Sequence, residues 1–199
     1  SHGADAPREI WQFGKKGEPV YDAIEKMIRL RYRLIPYLYS IAWQVTSNNE
    51  SYLRPLFSDF AADRKVWDIA DEFMFGRSIL ATPILDPQYT EEKIVRTNAM
   101  TGWDRKNEEG GKRDEEEGMI DWSASKTAMK YLPKGATWYD FWTNKTYRGG
   151  QAITLQTSLD QVPMFVRAGS ILPLGPEMQY VGEKTWDNLE IRVYPGAKL

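Results

Sequence analysis

The sequence predicts an α+β fold in which a helical segment precedes a mainly antiparallel β-sandwich. Two observations lead to this prediction. Apolar residues recur at three- and four-residue steps between Pro19 and about Val45, and short apolar or alternating runs separated by Gly, Pro, Asn and Asp follow residue 66. A chain of 199 residues with 42% hydrophobic content can bury a sizeable core, so we expect a globular protein.

The helical segment has one wide apolar face, made of Ile24, Met27, Ile28, Leu34, Ile35, Leu38, Ile41, Ala42 and Val45. Pro36 falls within this pattern and lacks a backbone donor, which predicts a kink or break in the helix. We expect the cations of this segment to form a mostly solvated stripe, consisting of Lys26, Arg29, Arg31 and Arg33. Residues 1–17 are rich in Gly, Pro and charge, which favours a loop.

The second half of the chain is predicted to be built from strands. Residues 52–57 form a short apolar run that predicts a buried strand, and seven further runs indicate the sandwich: 78–85, 129–132, 137–141, 152–155, 164–166, 171–174 and 189–194. The polar stretch Asp63-Arg64-Lys65 separates the two patterns. We therefore place a boundary near residue 66, between one part at 1–66 and a second at 67–199.

A polar insertion interrupts the strand pattern at about residues 91–126. Residues 105–118 are nearly all charged residues, Asn or Gly. Such a segment cannot bury enough apolar area to offset chain ordering, which costs about 1 to 2 kcal/mol per residue. We interpret it as a surface insertion between two strands, with Trp103 and Trp122 anchoring its ends or presenting rings to a sugar or a neighbouring domain.

Composition argues against several function classes. The formal net charge is -2, which is unlike a nucleic-acid binder, and no run is long and apolar enough for a membrane span. The chain has no Cys, and His2 is its only histidine, so thiolate and His-based metal sites are excluded. Phosphate-binding glycine motifs are also missing. We expect no cofactor, no metal, and neither nucleic acid nor membrane as a partner.

No carboxylate pair has the appearance of an acid and a nucleophile. Several acidic residues fall in one polar connection, where we expect solvated surface: Asp59, Asp63, Asp68, Asp71 and Glu72. No catalytic residue is therefore assigned in this chain.

The aromatic run at 138–142 alternates as a strand would, so one face of its rings should fill the sandwich. We favour core packing for Trp138, Tyr139, Trp142 and Trp186 over a sugar-stacking platform.

Nine short motifs, in order, carry a family resemblance: SHG at 1–3, REIWQFG at 8–14, RYRLIPYLY at 31–39, RPLF at 54–57, FMFG at 73–76, LATPIL at 80–85, YLP at 131–133, WYDFW at 138–142 and VRAGSILP at 166–173. Together they resemble the C-terminal portion of glycoside hydrolase family 31. The similarity runs from the first residue to about Tyr194 and is interrupted only by the polar insertion.

The resemblance implies that residues 1–66 are the last part of a (β/α)8 barrel and residues 67–199 the proximal C-terminal β-sandwich domain. In this family two Asp residues perform a retaining double displacement, on barrel strands that precede the Ser-His-Gly motif. The chain alone is therefore expected to be inactive. The resemblance also implies that His2 hydrogen-bonds the sugar in the innermost subsite. Ile10 departs from the Pro common in this motif, which leaves the subclass open.

Two hypotheses from different classes follow. The first is a fragment of a retaining α-glycosidase that cleaves terminal α-linked glucose or xylose from oligosaccharides, and its partners would be the substrate and the N-terminal part of the same polypeptide. The second is a non-catalytic carbohydrate-binding or structural β-sandwich. The choice between glucose and xylose as the substrate sugar stays open, because the pocket walls that separate them would lie mostly upstream.

The chain opens without an initiator Met or a leader pattern, so we expect any targeting signal upstream. A periplasmic or secreted location is compatible with that.

Overall fold

The structure, a computed structural model, describes residues 10–86, 88–89 and 126–196. The predicted insertion at 91–126 lies outside the described residues except for its last position, and so do Trp103, Trp122 and His2. Within the described ranges, no helix has the length and apolar character needed to cross a membrane.

The helical segment consists of two α-helices that meet without a loop. A 3-10 helix at Ile10–Phe13, inside the stretch expected to be a loop, precedes α1 (Pro19–Arg33) and α2 (Ile35–Asn48). The predicted break is confirmed and lies at Leu34, whose N–H donates to the Leu30 oxygen at 2.9 Å. Pro36 lies in the first turn of α2, where a missing donor costs nothing. The proline thus starts a helix instead of kinking one.

The strands in chain order are β1 (Leu53–Pro55), β2 (Phe73–Phe75), β3 (Ile79–Ala81), β4 (Lys126–Leu132), β5 (Thr137–Asp140), β6 (Thr146–Arg148), β7 (Gln151–Thr157), β8 (Met164–Arg167), β9 (Ser170–Leu174) and β10 (Glu190–Tyr194). Six form one sheet in the order β1-β2-β3-β8-β5-β6, while β4 pairs with β7 and β9 with β10. Every pairing between these strands is antiparallel, which confirms the predicted α+β class with antiparallel sheets. The barrel end stays a prediction.

The apolar run at 52–57 is not the buried strand that the sequence predicts. Only β1 is extended, and it lies at the edge of the sheet with Leu53 exposed. A short helix, α3 (Leu56–Asp59), begins at the next residue. The reason is an ion pair that folds the chain back: Arg54 donates two hydrogen bonds to the Asp59 carboxylate, each 2.7 Å long.

Strands β2 and β6 were not predicted, because each has only three residues.

Successive side chains of the central strands enter two different cores, as the pleat of a strand requires. Ile79 and Val166 face the helices, whereas their neighbours Leu80 and Phe165 face the β4–β7 pair. The first core is completed by Leu34, Tyr37, Ile41, Phe141, Met164, Leu172, Leu174 and Tyr194. The second is completed by Leu56, Phe60, Val66, Met74, Leu132, Trp138 and Leu155.

The cationic stripe of α1 is exposed or partly exposed, as the sequence predicts, and three of its four members also have ion-pair partners in distant segments. Lys26 pairs with Asp160, Arg29 with Glu177, and Arg33 with Glu190. Their partners lie more than 130 residues away, so helical periodicity could not reveal them. Because all three pairs are open to solvent, screening by water and salt keeps each of them weak.

Gly76 allows α2 to approach the sheet closely. The Tyr37 hydroxyl donates to the Phe75 oxygen at 2.6 Å, so the helix touches the sheet one residue before the turn. Gly76 has φ +62°, and a Cβ there would lie 2.7 Å from both the Tyr37 hydroxyl and Ile41 Cδ1. Neither the backbone angle nor the space suits another residue.

We expect Gly76→Ala to lower the free energy of unfolding by about 2 kcal/mol or more, because left-handed strain adds to overpacking against Tyr37 and Ile41. Urea denaturation of both proteins measures this loss.

Gly135→Ala is the matched control. Gly135 also has positive φ, but a Cβ there meets nothing within 4 Å, so only backbone strain of about 1 kcal/mol is expected. Equal losses in the two variants would show that contact with α2 is not the constraint at Gly76.

Candidate functional site

His2, to which the family resemblance assigns a substrate-binding role, lies outside the described residues, so that role stays a prediction. Across residues 10–86, 88–89 and 126–196, no group of three or more His, Cys, Asp or Glu side chains is placed to hold a metal ion.

Two acidic residues expected on the solvated surface are buried instead. Asp63 is 8% exposed and Glu72 is 5% exposed, so the expectation was wrong for both. The cause is β4, which follows about 60 residues later in the sequence and lies across the acidic connection. No local pattern signals this contact.

Asp63 is held by three donors. Its Oδ2 accepts from the Tyr131 hydroxyl at 2.9 Å and the Lys134 N–H at 2.8 Å, while Oδ1 accepts from the Lys65 N–H at 3.2 Å. Burial opposes ionisation, but these hydrogen bonds outweigh it and lower the pKa of the Asp63 carboxyl. Asp63 therefore remains a charged acceptor that ties the start of the second 3-10 helix (Arg64–Asp68) to the end of β4.

Glu72 has a much poorer set of partners. Its Oε1 accepts one bond from the Tyr131 N–H at 2.9 Å, and Oε2 has no hydrogen-bond partner among the described residues. The neighbouring Lys130 ammonium is already bound by Asp71 at 2.6 Å and the Pro83 oxygen at 3.0 Å. Burial therefore raises the pKa of Glu72 to about 7, against the opposing effects of the Tyr131 bond and the Lys130 charge.

The remaining carboxylates of the acidic connection have structural partners or lie in solvent. Asp59 pairs with Arg54, Asp71 pairs with Lys130, and Asp68 is exposed. Each contact of Asp63 and Glu72 is made to the chain itself. The cluster holds β4 in place, and we assign it no catalytic role.

The aromatic run at 138–142 packs into the interior. Trp138 is fully buried, its Nε1 donates to the Pro133 oxygen at 3.0 Å, and its ring lies 5.7 Å from that of Phe60. Trp142 is partly buried and donates to the Val162 oxygen at 2.8 Å. The prediction of core packing is confirmed for Trp138. Trp186 is 38% exposed and lies over Gly175.

The helix pair also has apolar groups on the side that faces away from the sheet. Tyr39 and Trp43, one turn apart on α2, are 78% and 60% exposed. On α1 an open groove of about 390 Å³ is lined by Val20, Ala23, Ile24, Met27, Ile28, Arg31 and Leu159. A helix with apolar groups on two sides usually lies between two layers, so this outer surface is suited to packing against further protein.

We predict that the folded protein becomes less stable as pH rises from about 4.5 to about 7, through Glu72. In this range the unfolded chain releases the Glu72 proton while the folded chain keeps it, so the stabilisation present at low pH is lost as pH rises through the folded pKa. The difference between 4.5 and about 7 corresponds to at most about 3 kcal/mol. Glu72→Gln should remove this loss, as measured by urea denaturation at pH 5 and pH 8.

Asp63→Asn is the matched control for Glu72→Gln. The lowered pKa of Asp63 means that its stabilisation is lost only as pH falls below the unfolded value. The control should therefore lose similar stability at pH 5 and pH 8. If Glu72→Gln keeps the pH dependence of the parent sequence, Glu72 is not its source.

Comparison with known proteins relates the whole chain to one family. The family model described as "Glycosyl hydrolase family 31 C-terminal domain" matches residues 49–115 and 116–172. The model described as "Glycosyl hydrolases family 31 TIM-barrel domain" matches residues 1–41.

Individual relatives agree. The chain is 34% identical over 195 residues to an α-xylosidase of Saccharolobus solfataricus, covering 98% of this chain and 21% of the relative. It is 29% identical to α-glucosidase 2 of Bacillus thermoamyloliquefaciens, covering 84% of this chain and 16% of the relative. The chain thus spans only 21% and 16% of the lengths of these two relatives.

Solved structures give the same result. The fold is similar to that of a GH31 α-xylosidase from Xanthomonas citri, with a TM-score of 0.71 and 32% identity over 96% of this chain and 17% of that one. It is also similar to a GH31 dextranase of Flavobacterium johnsoniae, with a TM-score of 0.68 and 27% identity over 98% of this chain and 19% of that one. With well over half of its residues matched by the C-terminal-domain model alone, this chain belongs to glycosyl hydrolase family 31.

Proposed function

We propose that this chain is the C-terminal portion of a retaining α-glycoside hydrolase that removes terminal α-linked glucose or xylose from oligosaccharides. One observation carries the proposal: a TIM-barrel model matches residues 1–41 and a C-terminal-domain model matches residues 49–172, in the order that family 31 uses. Relatives named as an α-xylosidase and an α-glucosidase support the two sugars.

The proposed division places the end of the barrel at 1–66 and the sandwich domain, with its insertion at about 91–126, at 67–199. The antiparallel pairing of β1 with β2 crosses this division, so the two parts share one hydrogen-bonded sheet. Helices α1 and α2 also pack on that sheet through Tyr37 and Ile41. These contacts would fix the sandwich rigidly against the barrel.

The outer surface of the helix pair supports a partner in the same polypeptide. Tyr39, Trp43 and the groove on α1 would be covered by the upstream part of the barrel. Burying a side chain of this size contributes about 1.5 to 3 kcal/mol, so this layer would stabilise both parts.

The proposed chemistry resides upstream. A retaining mechanism needs two carboxyl groups about 5 to 5.5 Å apart across the scissile bond, and a barrel presents such groups at the C-terminal ends of its strands. Four of the five carboxylates of the acidic connection are bound to their own chain instead, and the fifth, Asp68, is exposed. In this proposal the 199-residue chain contributes His2 to the sugar subsite and packs against the upstream part of the barrel. It has no catalytic group of its own.

The chain alone should hydrolyse no aryl α-glucoside or α-xyloside, because it lacks the nucleophile and the general acid. Substituting it for the segment that it matches in the Saccharolobus solfataricus α-xylosidase should retain α-xylosidase activity, since the upstream carboxylates are then present. Release of nitrophenol from both proteins provides the measurement. Turnover by the chain alone would contradict the proposal, as would a folded chimera that binds xylose but does not turn over.

Replacing His2 by Ala in that chimera should lower kcat/KM by about 10- to 150-fold, the equivalent of a charge-assisted hydrogen bond of about 1.5 to 3 kcal/mol. Such a bond strengthens as the oxocarbenium-like transition state forms, so kcat should fall as well. Ser1→Ala, the adjacent change without an imidazole, is the control. An unchanged kcat/KM, or a loss that follows a lowered Tm, would reject the binding role of His2.

A further inference from the structure

Four turns meet at one end of the six-stranded sheet and surround an open cleft of about 1410 Å³. They are the β2–β3, β4–β5, β6–β7 and β8–β9 connections, and each contributes one cation to the lining: Arg77, Lys134, Arg148 and Arg167. Among the residues that the structure describes, the lining of this basic cleft includes no Asp or Glu. A single sign of charge is thus concentrated in one concave surface.

Among the described residues, three of these four cations have no ion-pair partner, although the Lys134 charge is one of the causes that lower the pKa of Asp63. Arg77 is paired, because its Nε lies 2.7 Å from Glu50 Oε2. In the part of the chain that the structure describes, Lys134, Arg148 and Arg167 have no carboxylate within ion-pair distance. Arg167 instead lies over the Phe60 ring at 5.3 Å. Like charges held in a concave surface repel one another and raise the local concentration of anions.

A close contact between two turns creates this arrangement. A Cβ on Gly149 would lie 2.1 Å from the Pro133 oxygen, so only glycine lets the β6–β7 turn lie directly on the β4–β5 turn. The same contact places Arg148 and Lys134 on one wall. The Gly149 and Gly150 N–H groups donate to the Ala136 and Leu132 oxygens at 2.9 and 2.7 Å. These two backbone donors are therefore not available to a ligand.

The rest of the lining suits a sugar. Thr137 and Ser170 lie among the cations and offer hydroxyl groups, and the Gln151 amide, which donates one hydrogen bond to the Arg148 oxygen at 2.7 Å, lies beside them. Their hydrogen-bonding capacity matches that of sugar hydroxyls. The volume exceeds that of a small inorganic anion, and the net charge of -2 for the whole chain argues against nucleic acid.

We propose that the basic cleft binds an acidic oligosaccharide, one that has carboxylate or sulfate groups on its sugars. The anionic groups bind Lys134, Arg148 and Arg167, and the hydroxyls bind the polar side chains between them. The choice of a saccharide rests in part on the proposed function, whereas the positive charge does not.

The test is calorimetric titration of the full chain with three ligands: an oligogalacturonate, a dextran sulfate oligosaccharide and neutral maltoheptaose. Both acidic ligands should bind, with an affinity that falls as NaCl is added, and maltoheptaose should not. No turnover is measured, so loss of this binding and loss of the glycosidase function are separate results. If only one acidic ligand binds, the anionic group that the cleft selects is identified and the proposal is supported.

Lys134→Gln/Arg148→Gln should lower the affinity for acidic saccharide by about tenfold or more, because two charge-assisted contacts are lost. Lys145→Gln/Lys184→Gln removes the same charge from residues outside the lining and should leave affinity within about twofold. Circular dichroism of each variant verifies folding, and Arg148→Gln alone serves if the double variant unfolds.

Four outcomes overturn the proposal. The first is that acidic saccharide binds neither the parent sequence nor any variant. The second is that inorganic sulfate competes at equal concentration, which indicates a simple anion site. The third is tighter binding of polyglutamate, which indicates an acidic protein partner. An equal loss of affinity in the Lys145 and Lys184 control also contradicts a specific cleft.

Discussion

The pairing of β3 with β8 is the constraint on which the rest of the structure depends. Ile79 lies opposite Val166 and Leu80 opposite Phe165, and each pair faces a different core. A sheet with large apolar residues on both faces needs two covers, because each exposed side chain of this size would forgo about 1.5 to 3 kcal/mol of burial. The helix pair with β9–β10 covers one face, and β4–β7 with α3 covers the other.

The position of the helix pair is set by packing more than by charge. Three ion pairs join α1 to two distant loops and to the start of β10, but they are open to solvent and individually weak. Tyr37 and Ile41 of α2 pack closely over Gly76. These buried contacts are specific in shape, so they fix the position of the helix pair on the sheet. A helix pair held this firmly on its inner side can present Tyr39 and Trp43 on its outer side as a rigid surface. That arrangement suits a family in which a barrel and a sandwich occur in one polypeptide.

Asp63 and Glu72 illustrate how environment separates two carboxylates of similar burial. Asp63 accepts three hydrogen bonds and stays ionised, whereas Glu72 accepts one and binds its proton up to about pH 7. Tyr131 serves both, with its hydroxyl on Asp63 and its N–H on Glu72. Tyr131 of β4 therefore contacts both of these carboxylates of the acidic connection. The protonation of Asp63 and Glu72 thus depends on the position of β4.

The sequence by itself determined the family, the helix break before Pro36, most of the strands and the burial of Trp138. Each of these follows from local order: motifs in register, the period of apolar residues, or the chemistry of one proline. Tertiary structure alone decided that Asp63 and Glu72 are buried, that Lys26, Arg29 and Arg33 are paired, and that four cations from separate turns line one cleft. The partners of Asp63 on β4 and just after it lie 68 and 71 residues away in the sequence. The only sequence feature common to the four cations is a glycine within two positions of each. Burial, pairing and clustering depend on which distant segments meet, and a one-dimensional pattern contains no information about distance in space.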